Sequence, residues 1–144
     1  MSSNGFDLDA QLELAKQEDE GTDVHIHGVD EEPLYYQGEN GERQPVIIRV
    51  AGAHSQRYRR AEERIRKRKL KPNKFTGELI HTDNVEKVAE CTLSWKGIHA
   101  GGEPVEMTIP NARQIYKRAP WVLDQILEAM NEPTNFFVNG SKPE

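Results

Sequence analysis

Only one cysteine, Cys91, occurs in the 144 residues. An intrachain disulfide is therefore excluded, and so is a cysteine-built zinc cage. Long apolar runs are also lacking. No stretch of about 18 hydrophobic residues exists, so no α-helix of this sequence spans a membrane. Residues 1–7 have neither the basic start nor the apolar stretch of a secretory signal, and an intracellular compartment is the expectation. Hydrophobic residues make up 35% of the chain, low for this length; one modest core with some chain left in water follows. Phosphate-loop and dinucleotide signatures are missing as well. Gly97 and Gly101-Gly102 lack the strand-then-helix context and the closing Lys-Ser/Thr, and read as turns. No convergent set of acid, base and nucleophile can be assembled, so neither catalysis nor a cofactor is expected.

What the sequence does have is segregated charge. Residues 1–44 carry twelve acids and two bases, while residues 57–74 carry ten bases and two acids, within a net charge of −5. Such asymmetry points to a partner, or to two blocks facing each other in one molecule.

Three regions follow. Residues 1–22 are acidic, with a weak helical pattern at Phe6, Leu8, Leu12 and Ala15, and are expected as a mobile tail or a short helix that orders on a partner. Residues 23–138 form a single α+β domain, with a small antiparallel hairpin or three-stranded sheet packed against about four helices. Residues 139–144 are a polar tail. In the domain, residues 24–27 alternate as a strand, residues 33–37 are a second extended piece, and Asn40-Gly41 is a hairpin turn leading into the β-branched strand 45–50. Gly52 ends that strand. Residues 55–70 form a basic helix with a thin apolar stripe at Tyr58, Ala61, Ile65 and Leu70, stopped by Pro72. Residues 75–81 are a loop. Residues 83–96 are a second helix, with Asp83 as N-cap and Val85, Val88, Thr92 and Trp95 as its buried stripe. Gly97 stops it, Gly101-Gly102 turns the chain, and residues 105–109 are extended. Thr108 caps a helix over 111–118 with Pro110 in its first turn. Pro120 bends the chain into a further helix over 121–131, and Pro133 ends that one. Trp121, Val122, Gln125, Ile126 and Ala129 or Met130 face inward, and Phe136-Phe137-Val138 folds back as an apolar anchor.

Three features invite a chemical reading. His25 and His27 share one face of a strand and could ligate a metal, but no second close pair accompanies them, and sheet-surface histidines are the simpler reading. Cys91 lies among apolar residues and reads as packing. The basic helix, with Arg59, Arg60, Arg64 and Arg68, has three open readings. It is a solvated helix paired with acids, a protein docking surface, or a phosphate-binding helix on nucleic acid. The acidic N-terminal block opposes the last, and no Asn/Gln-rich face accompanies it for base reading.

The C-terminal third carries a recognisable arrangement. Trp95-Lys96-Gly97-Ile98 leads to Gly102-Glu103-Pro104-Val105, then to Pro110-Asn111-Ala112-Arg113, Pro120-Trp121-Val122-Leu123-Asp124-Gln125-Ile126, and Asn135-Phe136-Phe137. It resembles the tail assembly chaperones of long-tailed bacteriophages and prophages. The turn at Val50-x-Gly52 into Ser55-x-x-Tyr58-Arg59-Arg60 resembles their strand-to-basic-helix junction, and the likeness covers roughly residues 24–138. It implies a small non-catalytic α+β domain in the host bacterial cytoplasm. Such a domain binds the tape-measure protein, with the tail tube protein as a possible further partner, and keeps that long helical chain soluble during tail assembly. It also implies no cofactor and no membrane partner, and a family habit of a second, longer form made by ribosomal frameshifting. Trp95, Trp121, Ile126, Phe136 and Phe137 are expected as structural anchors. Contact with the client is expected from Arg59, Arg60, Arg64 and Arg68 and from the acidic segment. A structural protein retained in the virion, and a nucleic-acid-binding protein using helix 55–70, are the alternatives.

Overall fold

A computed structural model describes residues 5–68 and 77–137. The expected tail 139–144, Val138, and the expected roles of Leu70 and Pro72 lie outside these residues. The chain runs α1 (Leu8–Glu20), β1 (Thr22–His25), β2 (Tyr35–Gln37), β3 (Arg43–Pro45), β4 (Ile47–Val50), α2 (Gln56–Arg68), α3 (Gly77–Cys91), β5 (Thr92–Lys96), β6 (His99–Ala100), β7 (Glu103–Pro104), α4 (Ile109–Arg118) and α5 (Pro120–Met130), and ends in a 3-10 turn, Pro133–Phe136. This is the α+β class that the sequence implies.

The main sheet has the order β1-β4-β5, antiparallel throughout. Its centre is β4, the most β-branched run of the chain, and Ile48 and Val50 on its inner face are fully buried. Against that face lie α3, α4 and α5. They supply Val85, Val88, Ala112, Tyr116, Leu123, Ile126 and Met130 to the core, the inner stripes of amphipathic helices. The β2–β3 ribbon closes through Asn40-Gly41, with Gly41 at φ 77, where glycine escapes the Cβ clash. Val46 interrupts what the sequence shows as one strand over 45–50. Its amide turns to the Leu34 carbonyl, and its own carbonyl takes the Ile26 amide.

Thr108 caps α4, its hydroxyl accepting from the Asn111 amide at 3.1 Å, with Pro110 in the first turn as expected. Arg113 on α4 faces Glu86 on α3 at 3.0 Å, off the line of a good hydrogen bond, so that contact is coulombic.

Two expectations are corrected here. Residues 77–81 are helical, not loop, and Asp83 lies inside α3 instead of capping it. Residues 92–96 are not the end of a helix; they are β5, which starts directly after Cys91. The reason is the register. Val50 pairs with Thr92 and Ile48 with Trp95, so a bulge spends Leu93 as an extra residue. Thr92 and Trp95, three apart, then share the face that Ile48 and Val50 share, and mimic a helical stripe.

Candidate functional site

The acidic segment, expected as a mobile tail or a partner-ordered helix, is helical over 8–20 and held by its own chain. Asp7 caps α1, accepting from the Asp9 and Ala10 amides, and acids in the first turn suit the positive end of the helix dipole. At the other end Arg49 of β4 reaches across. Its Nε donates to the Glu20 carbonyl at 3.1 Å, Nη2 to the Gly21 carbonyl at 3.2 Å, and Nη1 to Asp23 Oδ1 at 2.9 Å. One guanidinium thus satisfies carbonyls at the helix C-terminus, where a cation is favoured.

Glu18 is the anchor. It is 4% exposed. Its Oε1 accepts from the His54 amide at 3.0 Å, its Oε2 lies 2.8 Å from His54 Nδ1, and its carbonyl accepts from the Gly52 amide at 2.9 Å. Gly52 allows this approach, because a Cβ there would meet Glu18 Oε1 at 2.2 Å. Next to it Asp19 Oδ1 accepts from the Gln56 amide at 2.7 Å, while Ser55 Oγ accepts from the Tyr58 amide. The two side chains satisfy amides at the start of α2 that have no partner within the helix. The acidic segment therefore meets the basic helix at its backbone N-terminus, not at its arginines.

Between these elements runs a groove of about 540 Å³. Phe6, Leu8, Leu12 and Ala15 of the α1 region form one wall. Ala53–Ser55 with Arg59 and Glu62 form the second, and Pro133 and Phe137 close an end. Phe6 is 77% exposed, and Leu8 and Leu12 are each 56% exposed. Large apolar side chains this open and this close together mark a contact surface more often than a packing fault.

The four nominated arginines separate. Arg59 lines the groove and is exposed, with no ion-pair partner among the described residues. Arg64 is paired with Glu90 of α3, where Arg57 Nη1 also donates to the Glu90 carbonyl at 3.3 Å. Arg60 and Arg68 are exposed away from the groove lining. Among the anchors, Ile126 and Phe136 are buried. Phe137 is half-buried in the groove wall. Trp95 is half-buried, with its Nε1 donating to the Val105 carbonyl at 2.7 Å. Trp121 is corrected: it is 41% exposed. The buried stripe of α5 is Val122, Leu123, Ile126 and Met130, and Trp121 falls on its margin, above Gln125. Gln125 is half-buried and turns toward the chain past β1. Its amide oxygen accepts from the His27 amide at 2.7 Å and its nitrogen donates to the His27 carbonyl at 2.8 Å, covering the chain just past the end of β1.

The other candidates resolve simply. The imidazoles of His25 and His27 have centroids 5.7 Å apart, and each meets a backbone carbonyl, His25 Nε2 that of Leu34 and His27 Nδ1 that of Glu31. Among the described residues no group of three or more His, Cys, Asp or Glu side chains is placed to hold a metal. Cys91 is fully buried, and burial pushes its thiol up to about 12, so it holds its proton and lacks the thiolate a nucleophile needs. Beside it the Thr92 hydroxyl lies 2.6 Å from the Tyr116 hydroxyl and donates to the Val88 carbonyl. Both are structural. No helix among the described residues is long and apolar enough to cross a membrane.

Glu18 and Asp19 escaped the sequence reading because nothing separates them from ten other acids in that block. The exposed leucines of α1 were visible there as a weak stripe. Comparisons of the chain with protein-family models, with curated proteins and with solved structures each return no match.

Proposed function

We propose that this chain is a non-catalytic tail assembly chaperone of a long-tailed phage or prophage. It would act in the host bacterial cytoplasm, binding the tape-measure protein and keeping it soluble while the tail tube protein assembles. The observation that carries this reading is the open apolar groove between α1 and the start of α2. A holding chaperone needs binding surface that stays soluble by itself. Here Leu8 and Leu12 are half open to water on a helix whose remaining faces carry Asp9, Glu13 and Lys16, which keeps an apolar surface small and rimmed by charge. The two segments marked by charge segregation supply its two long walls. The resemblance of residues 24–138 supplies the client.

Coexpression tests it. The tape-measure protein is expected in the soluble fraction with this chain and in the pellet without it. Equal solubility in both would end the chaperone reading. Purified particles discriminate the virion-protein alternative, because a chaperone is absent from finished tails. Binding of duplex DNA is expected to be undetectable even at low salt, where phosphate contacts are strongest.

A further inference from the structure

His25 and His27 lie outside the groove lining, and the proposed function does not use them. Both are half-buried, His25 as the last residue of β1 and His27 two residues on. His25 Nε2 meets the Leu34 carbonyl at 2.9 Å, and His27 Nδ1 meets the Glu31 carbonyl at 3.1 Å. A carbonyl oxygen only accepts, so each of these nitrogens carries the ring proton of the neutral imidazole. The other nitrogens, Nδ1 of His25 and Nε2 of His27, then each keep a lone pair, and neither has a hydrogen-bond partner among the described residues. Histidines that ligate a metal are held in this way, with the second ring nitrogen donating to a backbone carbonyl or a carboxylate. Tyr35 also meets the His25 ring edge-on, with centroids 5.0 Å apart, and restrains its plane.

The spacing suits one shared ion. Zinc holds an imidazole nitrogen at about 2 Å, which sets the ring centroid about 3 Å from the ion, so two rings on one tetrahedral ion have centroids about 5–6 Å apart. The observed separation is 5.7 Å, with the ring planes tilted by 57°. We propose that His25 and His27 chelate one borderline divalent transition ion of the kind imidazole favours, with zinc as its representative. Among the described residues no third His, Cys, Asp or Glu completes a set of three, so water takes the remaining positions and the ion stays exchangeable. Glu128 and Glu132 line the hollow beside His25, and their charge favours a cation there at longer range. A hard ion such as magnesium is not selected, because it takes oxygen ligands. Ion binding here is independent of the chaperone reading.

The test uses the full chain and zinc alone, titrated by calorimetry in a buffer that does not bind metals. Saturation at one ion per chain in the micromolar range is expected, with no response to magnesium. His25→Gln and His27→Gln are each expected to weaken binding by about tenfold or more, since each removes one of two protein ligands. His99→Gln is expected to leave it unchanged. Copper(II) gives a second readout that does not depend on affinity. Its electron paramagnetic resonance spectrum should carry the splitting of two nitrogens in the parent chain and of one in either variant. An affinity weaker than about 1 mM, or one that His25→Gln and His27→Gln leave unchanged, overturns the proposal. So does saturation at half an ion per chain, because the ion is then shared between two copies. Should a variant lose the circular dichroism of the parent chain, the copper spectrum of the parent decides, and fewer than two nitrogens there overturns the proposal.

Discussion

At the scale of single residues, the least conspicuous acid does the most. Glu18 joins α1 to the Gly52–Ser55 turn through three bonds, and its side chain is almost wholly buried. Glu18→Ala strips the acceptor from the His54 amide and is expected to cost about 1–3 kcal/mol. Urea unfolding measures the loss, and hydrogen exchange should show the amides of α1 opening first. The buried thiol gives a second expectation, in pH. Below pH 9 Cys91 is protonated in folded and unfolded chains alike. Above it the unfolded chain loses the proton, while the folded chain keeps it until about 12. Stability therefore falls as pH rises through that window, by up to about 1.4 kcal/mol per pH unit for this group. Tyr116, also pushed up by burial, adds the same sign from its ordinary value of 10 upward. Urea midpoints at pH 8.5 and 9.5 should show the decline, and Cys91→Ala should flatten it between those points.

At the scale of elements, local chemistry was legible wherever one residue type has one structural use. Asn40-Gly41 gave the β2–β3 turn and Thr108 with Pro110 gave the start of α4, whereas Gly97, read as a helix stop, ends a strand, β5, at φ 85. Periodicity failed at β5, because a bulge converts a two-residue repeat into a three-residue spacing between Thr92 and Trp95. No rule acting on a window of sequence sees a bulge whose cause is the register of another strand. The hydroxyl pair of Thr92 and Tyr116 joins β5 to α4. Thr92→Val keeps the shape and leaves the Tyr116 hydroxyl without its buried partner. A loss of about 1–3 kcal/mol is expected, read as a lower urea midpoint with an unchanged slope.

At the scale of the whole molecule, charge segregation leaves open whether the two blocks face a partner or each other; α1 does pack beside the start of α2, but through backbone amides and not through paired side chains. Contact runs through Asp19 and the amides at the start of α2, while Arg64 turns to Glu90 of α3. Sequence lists charges and is silent on backbone donors, so this could not be seen beforehand. The core cluster contains no residue before Val24. A chain lacking residues 1–20 is therefore expected to keep one cooperative thermal transition and the near-ultraviolet signal of Trp95. If the proposed chaperone role holds, it should lose tape-measure retention, since one wall of the groove goes with α1. A chain that fails to fold without those residues would show α1 to be part of the core and not an attachment to it.

The order β1-β4-β5 also sets a timetable. β1 and β4 lie within the first 50 residues, whereas β5 is reached only after α2 and α3, and follows α3 with no intervening residue. Strand and helix at that junction must settle together, because a helix ending one residue early or late would shift β5 by one position and turn Thr92 away from Tyr116. On the ribosome the nascent chain would therefore hold an incomplete, open-edged sheet until synthesis passes residue 96. The cooperative step of folding would then close β5 onto β4, the pairing of longest reach in that sheet and the slowest to find.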